Sequence, residues 1–162
     1  MSNNEKRSVC SIEEDDRTKI ETLIFVSAIK LSDNILAEAN QLLSVWGMTV
    51  LQYNTLRVLY LDDTDNDGLS NKEVGRGLYN RVPDVTRLLD RLADKGWIIR
   101  ERDSINRRVV RSKITDIGAK LVESANKPLQ ELECQQLSSL TEEEKKTLAT
   151  LLNKARVASK VN

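Results

Sequence analysis

The chain contains no histidine and only two cysteines in 162 residues. The first absence removes the commonest general base and a common metal ligand, and Cys10 and Cys134 stand far apart without a Cys-x-x-Cys spacing. Zinc coordination and His-based catalysis therefore have little to build on. No nucleophile elbow, phosphate-cradling glycine loop or metal-ligand cluster is found, so no enzymatic activity, cofactor or metal is expected. Aromatic residues make up only 4% of the sequence, and Leu, Ile and Val carry most of its hydrophobicity, which predicts aliphatic helix packing with little sheet. No apolar run approaches the length that spans a bilayer. The opening MSNNEKRSVCSIEEDD is polar and lacks the apolar segment of a signal peptide, so the expectation is a cytoplasmic protein with no membrane partner.

Net charge is lacking too, with 25 basic against 25 acidic side chains. The balance conceals a segregation. Between Arg76 and Lys113 stand eleven Lys/Arg and five Asp/Glu, a local charge of +6 that the rest of the chain offsets with −6. A compact basic region on an acidic scaffold is the pattern of a polyanion-binding face. Its densest part is IIRERDSINRRVVR, Ile98 to Arg111, in which five of fourteen residues are arginine.

Length and hydrophobic content fit one domain, or a small domain with an association module. From Asp15 to about Leu43, apolar residues recur at helical spacing through Ile20, Leu23, Ile24, Ala28, Leu31, Ile35 and Leu42, without Pro or Gly. Gly47 ends this helix, and Thr49-Val50-Leu51-Gln52 reads as the capping box of a second, running to about Leu61. After the loop DDTDNDG, Ser70-Asn71-Lys72-Glu73 forms a second capping box and opens a short third helix weakened by Gly75 and Gly77. Pro83 is placed as a first-turn residue of a fourth helix, with Asp84 complementing its positive end, Val85, Leu88, Leu89 and Leu92 forming its apolar stripe, and Gly96 ending it. Trp97–Arg102 and Arg107–Ile114 then read as a β-hairpin turning at Asp103-Ser104-Ile105-Asn106. A long helix from Thr115, bent at Pro128, and a last helix capped by Thr141-Glu142-Glu143-Glu144 complete the chain. There is no internal repeat.

Two short helices followed at once by a basic hairpin give the order helix-turn-helix then wing. A helix can enter the major groove, where arginine forks to guanine O6 and N7, and a hairpin tip can lay arginine along the neighbouring minor groove. The competing account is a solvated face whose arginines pair with Asp90, Asp94, Glu101 and Asp103.

The segments MTVLQYNTLRVL, LSNKEVGRGL, VPDVTRLLDRLADKGWIIRERD, RRVVRSKITDIGAKLV and LTEEEKKTLATLL resemble the MarR family of winged-helix transcriptional regulators from about Asp15 to Ala158. Thr86, Arg87, Asp90, Arg91, Leu92, Lys95, Gly96, Arg108, Thr115 and Gly118 stand at the family's pattern positions. The resemblance implies a mainly α fold with a small β-hairpin wing, a winged helix-turn-helix embedded in a helical dimerisation scaffold. Residues 1–14 would be a disordered tail, 15–45 an N-terminal dimerisation helix, 46–115 the DNA-binding lobe and 116–160 the C-terminal dimerisation helices. It implies a homodimeric regulator, most often a repressor, that reads a pseudo-palindromic operator in double-stranded DNA. The recognition helix would present Arg81, Val82, Pro83, Asp84, Thr86, Arg87 and Arg91, and the wing Arg102, Ser104, Asn106, Arg107 and Arg108. Ser70, Asn71 and Lys72 would meet the DNA backbone. Ile20, Leu23, Ile24, Leu121, Leu148, Leu151 and Leu152 would bury one another across a two-fold axis. A small aromatic or anionic effector would bind near the junction of dimer helices and lobe, though no residue here fixes one. One departure concerns the wing: the family's usual Asp two residues before Arg108 is Asn106 here, which still accepts one hydrogen bond, with Asp103 as a partial substitute.

Two other readings compete. Asp63-Thr64-Asp65-Asn66-Asp67-Gly68 matches the start of a calcium loop, but the twelfth position, which should supply a bidentate acid, is Val74, and Glu73 belongs to the capping box. A calcium-responsive binding module is the alternative it suggests. A cysteine-based redox switch is the other; the family's sensing position is occupied by Phe25, which leaves Cys10 and Cys134 as inert thiols.

Overall fold

The computed structural model describes residues 19–79, 82–103 and 106–158. In chain order these form α1 (Ile20–Leu43), α2 (Val50–Asp62), β1 (Leu69–Ser70), α3 (Asn71–Gly77), α4 (Val85–Asp94), β2 (Ile98–Arg102), β3 (Val110–Ile114), α5 (Asp116–Gln136) and α6 (Glu142–Ala158), with a 3-10 turn at Ser44–Trp46. The expected tail and the beginning of the first helix before Lys19 lie outside the described residues. The chain divides into two compact units, Met1–Ala37 and Glu38–Asn162, with the boundary inside α1. In the first unit, α1 exposes Ile20, Leu23, Ile24, Phe25 and Ile29.

The second unit is built around a core in which Leu43, Leu56, Leu59, Val74, Leu89 and Leu92 are fully buried. Three helices begin on reciprocal side-chain caps. The Thr49 hydroxyl accepts from Gln52 N while Gln52 Oε1 accepts from Thr49 N, and the same exchange joins Ser70 to Glu73 and Thr141 to Glu144. Each exchange satisfies donors that a helix start leaves open. At the entry to α2, Val50 N also donates to Asn40 Oδ1. At the exit of α3, the Tyr79 hydroxyl donates to buried Asn54 Oδ1, tying that turn to α2.

The expected hairpin is present, β2 pairing with β3, and a further strand extends it. The sheet has three antiparallel strands in the order β1-β3-β2, with Leu69 opposite Ser112 and Ser70 opposite Arg111. β1 has only two residues, too short for any alternation to announce it, and its partner is distant in sequence. The hairpin strands are also shorter than the pattern suggested. Asp103 N donates to Val109 O and Val109 N to Asn106 O, so residues 107–109 belong to the tip and β3 starts at Val110.

Pro83 is not a first-turn residue. Asp84 is the N-cap of α4, in a non-helical conformation, and its carboxylate accepts from Arg87 N at 3.0 Å, which puts Pro83 one place before the cap. α5 runs unbroken through Pro128, which lacks the N–H that would reach the carbonyl of Ser124.

Candidate nucleic-acid interface

α4 buries Leu88, Leu89 and Leu92 and turns Thr86, Arg87 and Arg91 outward. The Arg87 side chain is 80% exposed, with Nε 3.5 Å from the capping carboxylate of Asp84. Pro83 and Asp84 are exposed, whereas Val82 is half-buried and packs against the core; Arg81 lies outside the described residues. At the far end Gly96 takes φ +70°, the left-handed turn that stops the helix. Lys95 Nζ donates to Gly47 O at 2.8 Å and sits 4.1 Å from the centre of the Trp97 ring, pinning this end to the start of α2.

The N-terminal half of α4 is joined to its neighbours by polar side chains. Asn71 Nδ2 donates to Thr86 Oγ1 at 2.8 Å, and Asn71 Oδ1 accepts from Arg100 Nη2 at 3.1 Å. Arg100 Nη1 donates to Asp90. The amide side chain of Asn71 is thus engaged on both sides within the lobe. Ser70 is half-buried in its capping exchange, and Lys72 is exposed beside it.

The arginines of β2, β3 and their connecting tip fall into two groups. Arg100 and Arg111 are held inside the lobe. Arg111 Nε donates to Asp103 Oδ2 and Nη1 to Gly68 O at 2.8 Å, with Glu73 Oε2 3.9 Å away. The Asp103 hydrogen bond is the main cause holding the Arg111 guanidinium above its ordinary range. The Ser70 backbone N–H, together with the Ser70 hydroxyl, holds Glu73 below the usual carboxylate range. Arg102, Arg107 and Arg108 are instead exposed, and none has an ion-pair partner among the described residues. Of the acids that the solvated-face account offered as partners, Asp90 and Asp103 do pair with arginines, but with the two held inside the lobe, and the three exposed arginines are left unpaired among the described residues.

Asn106 supplies the tip contact expected of it. Its Oδ1 accepts from Arg108 N at 3.2 Å, while its own N–H donates to Asp103 Oδ1 at 2.7 Å. Asp103 thereby ties the turn to β3 through Arg111. Ser104 lies outside the described residues. Sequence reasoning missed Arg100 and Arg111 as internal struts. The signal for Arg100 was available, since period-2 alternation places it on the same face as buried Ile98.

Asp63 Oδ1 accepts from Gly68 N at 2.9 Å, closing the acidic loop on itself, and among the described residues no three His, Cys, Asp or Glu side chains converge to hold a metal. Cys134 is an exposed thiol on α5; Cys10 is outside the described residues. Leu151 and Leu152 are exposed on α6, Leu148 is half-buried, and Leu121 is half-buried against the lobe core. No described helix is long and apolar enough to cross a membrane.

A short capped helix, a second helix with an exposed polar face and an antiparallel wing define the winged helix-turn-helix class of DNA-binding proteins. Residues 48–110 match the model of the MarR family. MepR of Staphylococcus aureus, solved with DNA, is 28% identical, with 87% of this chain and 98% of that chain covered and a TM-score of 0.74. A mutant MarR from Escherichia coli, solved with operator DNA, is 25% identical over 85% of this chain and 99% of that one, with a TM-score of 0.74. A MarR transcription factor from Planctomyces limnophilus is 29% identical over 84% of this chain and 97% of that one, with a TM-score of 0.64. No curated protein sequence matches the chain. Residues 48–110 thus carry the MarR-family winged-helix region, and the chain is similar over most of its length to MepR and MarR, both solved with DNA.

Proposed function

We propose that the chain works as a homodimeric repressor whose two lobes read the half-sites of a pseudo-palindromic duplex. The observation that carries this reading is the sorting of the basic region: Arg102, Arg107 and Arg108 point to solvent without ion-pair partners among the described residues, on the same lobe as the exposed Thr86, Arg87 and Arg91 of α4. In this reading α4 enters the major groove, with Arg81, Val82, Pro83 and Asp84 leading into it and Arg87 nearest the base edges. The wing follows the minor groove with Arg102, Ser104, Asn106, Arg107 and Arg108. Ser70 and Lys72 approach a phosphate, and Asn71 does so by its main chain, since its side chain is engaged with Thr86 and Arg100.

The apolar surface carried by Ile20, Leu23 and Ile24 on α1, and separately by Leu151 and Leu152 on α6, supports self-association, because isolated helices with such faces need cover. A small aromatic or anionic effector releasing the DNA is part of the same proposal. The test is selection of a duplex from a random pool by the full-length protein, followed by sedimentation of the free protein and footprinting of the complex. Two protected half-sites about one helical turn apart, bound by a dimer, are expected. A stable monomer that binds all duplexes alike refutes the reading.

A further inference from the structure

Arg100 is an odd side chain to find where it is. It is only 14% exposed, on the β2 face shared with buried Ile98. Nη1 reaches Asp90 on α4 and Nη2 reaches Asn71 on α3, and Asn71 passes the contact on to Thr86. Between them one N–H is left unsatisfied in the interior: Nε is buried without a hydrogen-bond partner, and so is the hydroxyl of Ser112, the residue directly across the sheet from Arg100. A desolvated guanidinium with an orphan donor is a poor device for stability alone, since an apolar side chain of similar length fills such a place without that penalty. Asp90 is more than half exposed, so it stays hydrated if its partner is removed.

We propose that Arg100 is a positioning residue for sequence reading. Through Asp90, and through Asn71 to Thr86, it fixes the rotation of α4 about its own axis relative to α3 and the sheet. Thr86 and Arg87 then meet base edges in register with Arg107 and Arg108 at the tip. Arg100 itself touches no DNA. The proposal rests on α4 being the recognition helix, and the experiment separates the two.

The full-length protein first selects a preferred duplex from a random pool. Affinity for that duplex and for a scrambled one is then measured over a salt series for parent, Arg100→Met, Asn71→Ala and the double variant, with urea unfolding of each. Arg100→Met is expected to unfold at the same or higher urea concentration and to bind the scrambled duplex with the parent's affinity and salt slope. Its preference for the selected duplex should fall about tenfold, the scale of one well-made base contact. Asn71→Ala should lose preference in the same way, and the double variant should lose no more than Arg100→Met alone, because both cut one relay. If Arg100→Met does not fold, Asn71→Ala decides. Unchanged preference in the folded variants overturns the proposal. So does an equal loss on both duplexes: with a shallower salt slope it marks Arg100 as a phosphate contact, and with an unchanged slope it marks the Asn71 side chain as one. A parent without duplex preference overturns the recognition-helix reading and the proposal together.

Discussion

Gly118→Ala and Gly75→Ala are the same chemical change inside two helices, and their consequences should have opposite signs. At Gly118 an added Cβ would lie 2.2 Å from Trp97 O and 2.9 Å from Ile114 Cγ1. The carbonyl cannot simply step aside: it accepts from Thr115 N at 3.0 Å, and the Thr115 hydroxyl lies 3.0 Å from it while also accepting from Gly118 N. Trp97 leads directly into buried Ile98 and β2, so relief requires the strand and the start of α5 to part. Overpacking of a close contact costs about 1–3 kcal/mol or more, and the alanine gains back about 1 kcal/mol in helix propensity. With backbone as the obstacle the upper end applies, giving a net loss of about 2 kcal/mol and a melting point lower by about 4–8 °C. At Gly75 the nearest obstacle is Val85 Cγ2 at 3.5 Å, an ordinary contact. There the reduced backbone freedom of the unfolded chain should stabilise by about 0.5–1 kcal/mol. Thermal and urea unfolding followed by circular dichroism, at one fixed protein concentration, measure both. Gly118→Ala as stable as the parent would refute the close-approach argument.

Arg87→Ala and Arg108→Ala should separate base reading from phosphate holding: the first relaxes preference at one base pair per half-site by about 1–3 kcal/mol, and the second lowers the salt slope by about one phosphate contact per wing, both read from a salt series on selected and scrambled duplexes. If Arg108→Ala behaves like the parent on both, the wing assignment is wrong. Ile24→Glu should dissociate or unfold the dimer, as sedimentation will report; an intact dimer would place the interface elsewhere. Cys10→Ser with Cys134→Ser should leave DNA affinity and its response to peroxide unchanged, and a loss of peroxide response confined to the double variant would establish a redox switch. Glu73 is held below the usual carboxylate range chiefly by the Ser70 backbone N–H, so its stabilising contribution is present above its unfolded-state pKa and fades as pH falls through the lower folded value. Glu73→Gln should therefore flatten the acid limb of the stability profile, which pH-dependent urea unfolding will show.

What was legible in the sequence was what local chemistry decides. The caps at Thr49, Ser70 and Thr141 each involve residues three apart, and the stripe Leu88, Leu89, Leu92 needs only helical periodicity. Asp84 shows the limit of that reading: a capping carboxylate and a charge near a helix end look alike in sequence, and the choice between them moved Pro83 out of the helix. β1 was hidden because two residues carry no period and their pairing depends on a strand on the far side of α3 and α4. The five arginines of β2, β3 and their tip were recognised as a group. Which of them turn inward depends on where Asp90, Asn71 and Asp103 arrive in space, and only the alternation from Ile98 hinted at Arg100.

Ser70 is at once the last residue of β1 and the cap of α3, and this double duty bears on how the lobe assembles and how it opens. β2 and β3 can zip as soon as their tip closes, a local event. β1 joins β3 only after the chain has looped through α3, α4 and β2, a closure that carries a larger entropic barrier and completes late. The same pairing is therefore the natural place for the folded lobe to come undone first. When it does, the hydroxyl that caps α3 leaves with it, so an opening that begins at the edge of the sheet continues into the helix-turn-helix, and amide exchange at the start of α3 should track that of Leu69 and Ser70.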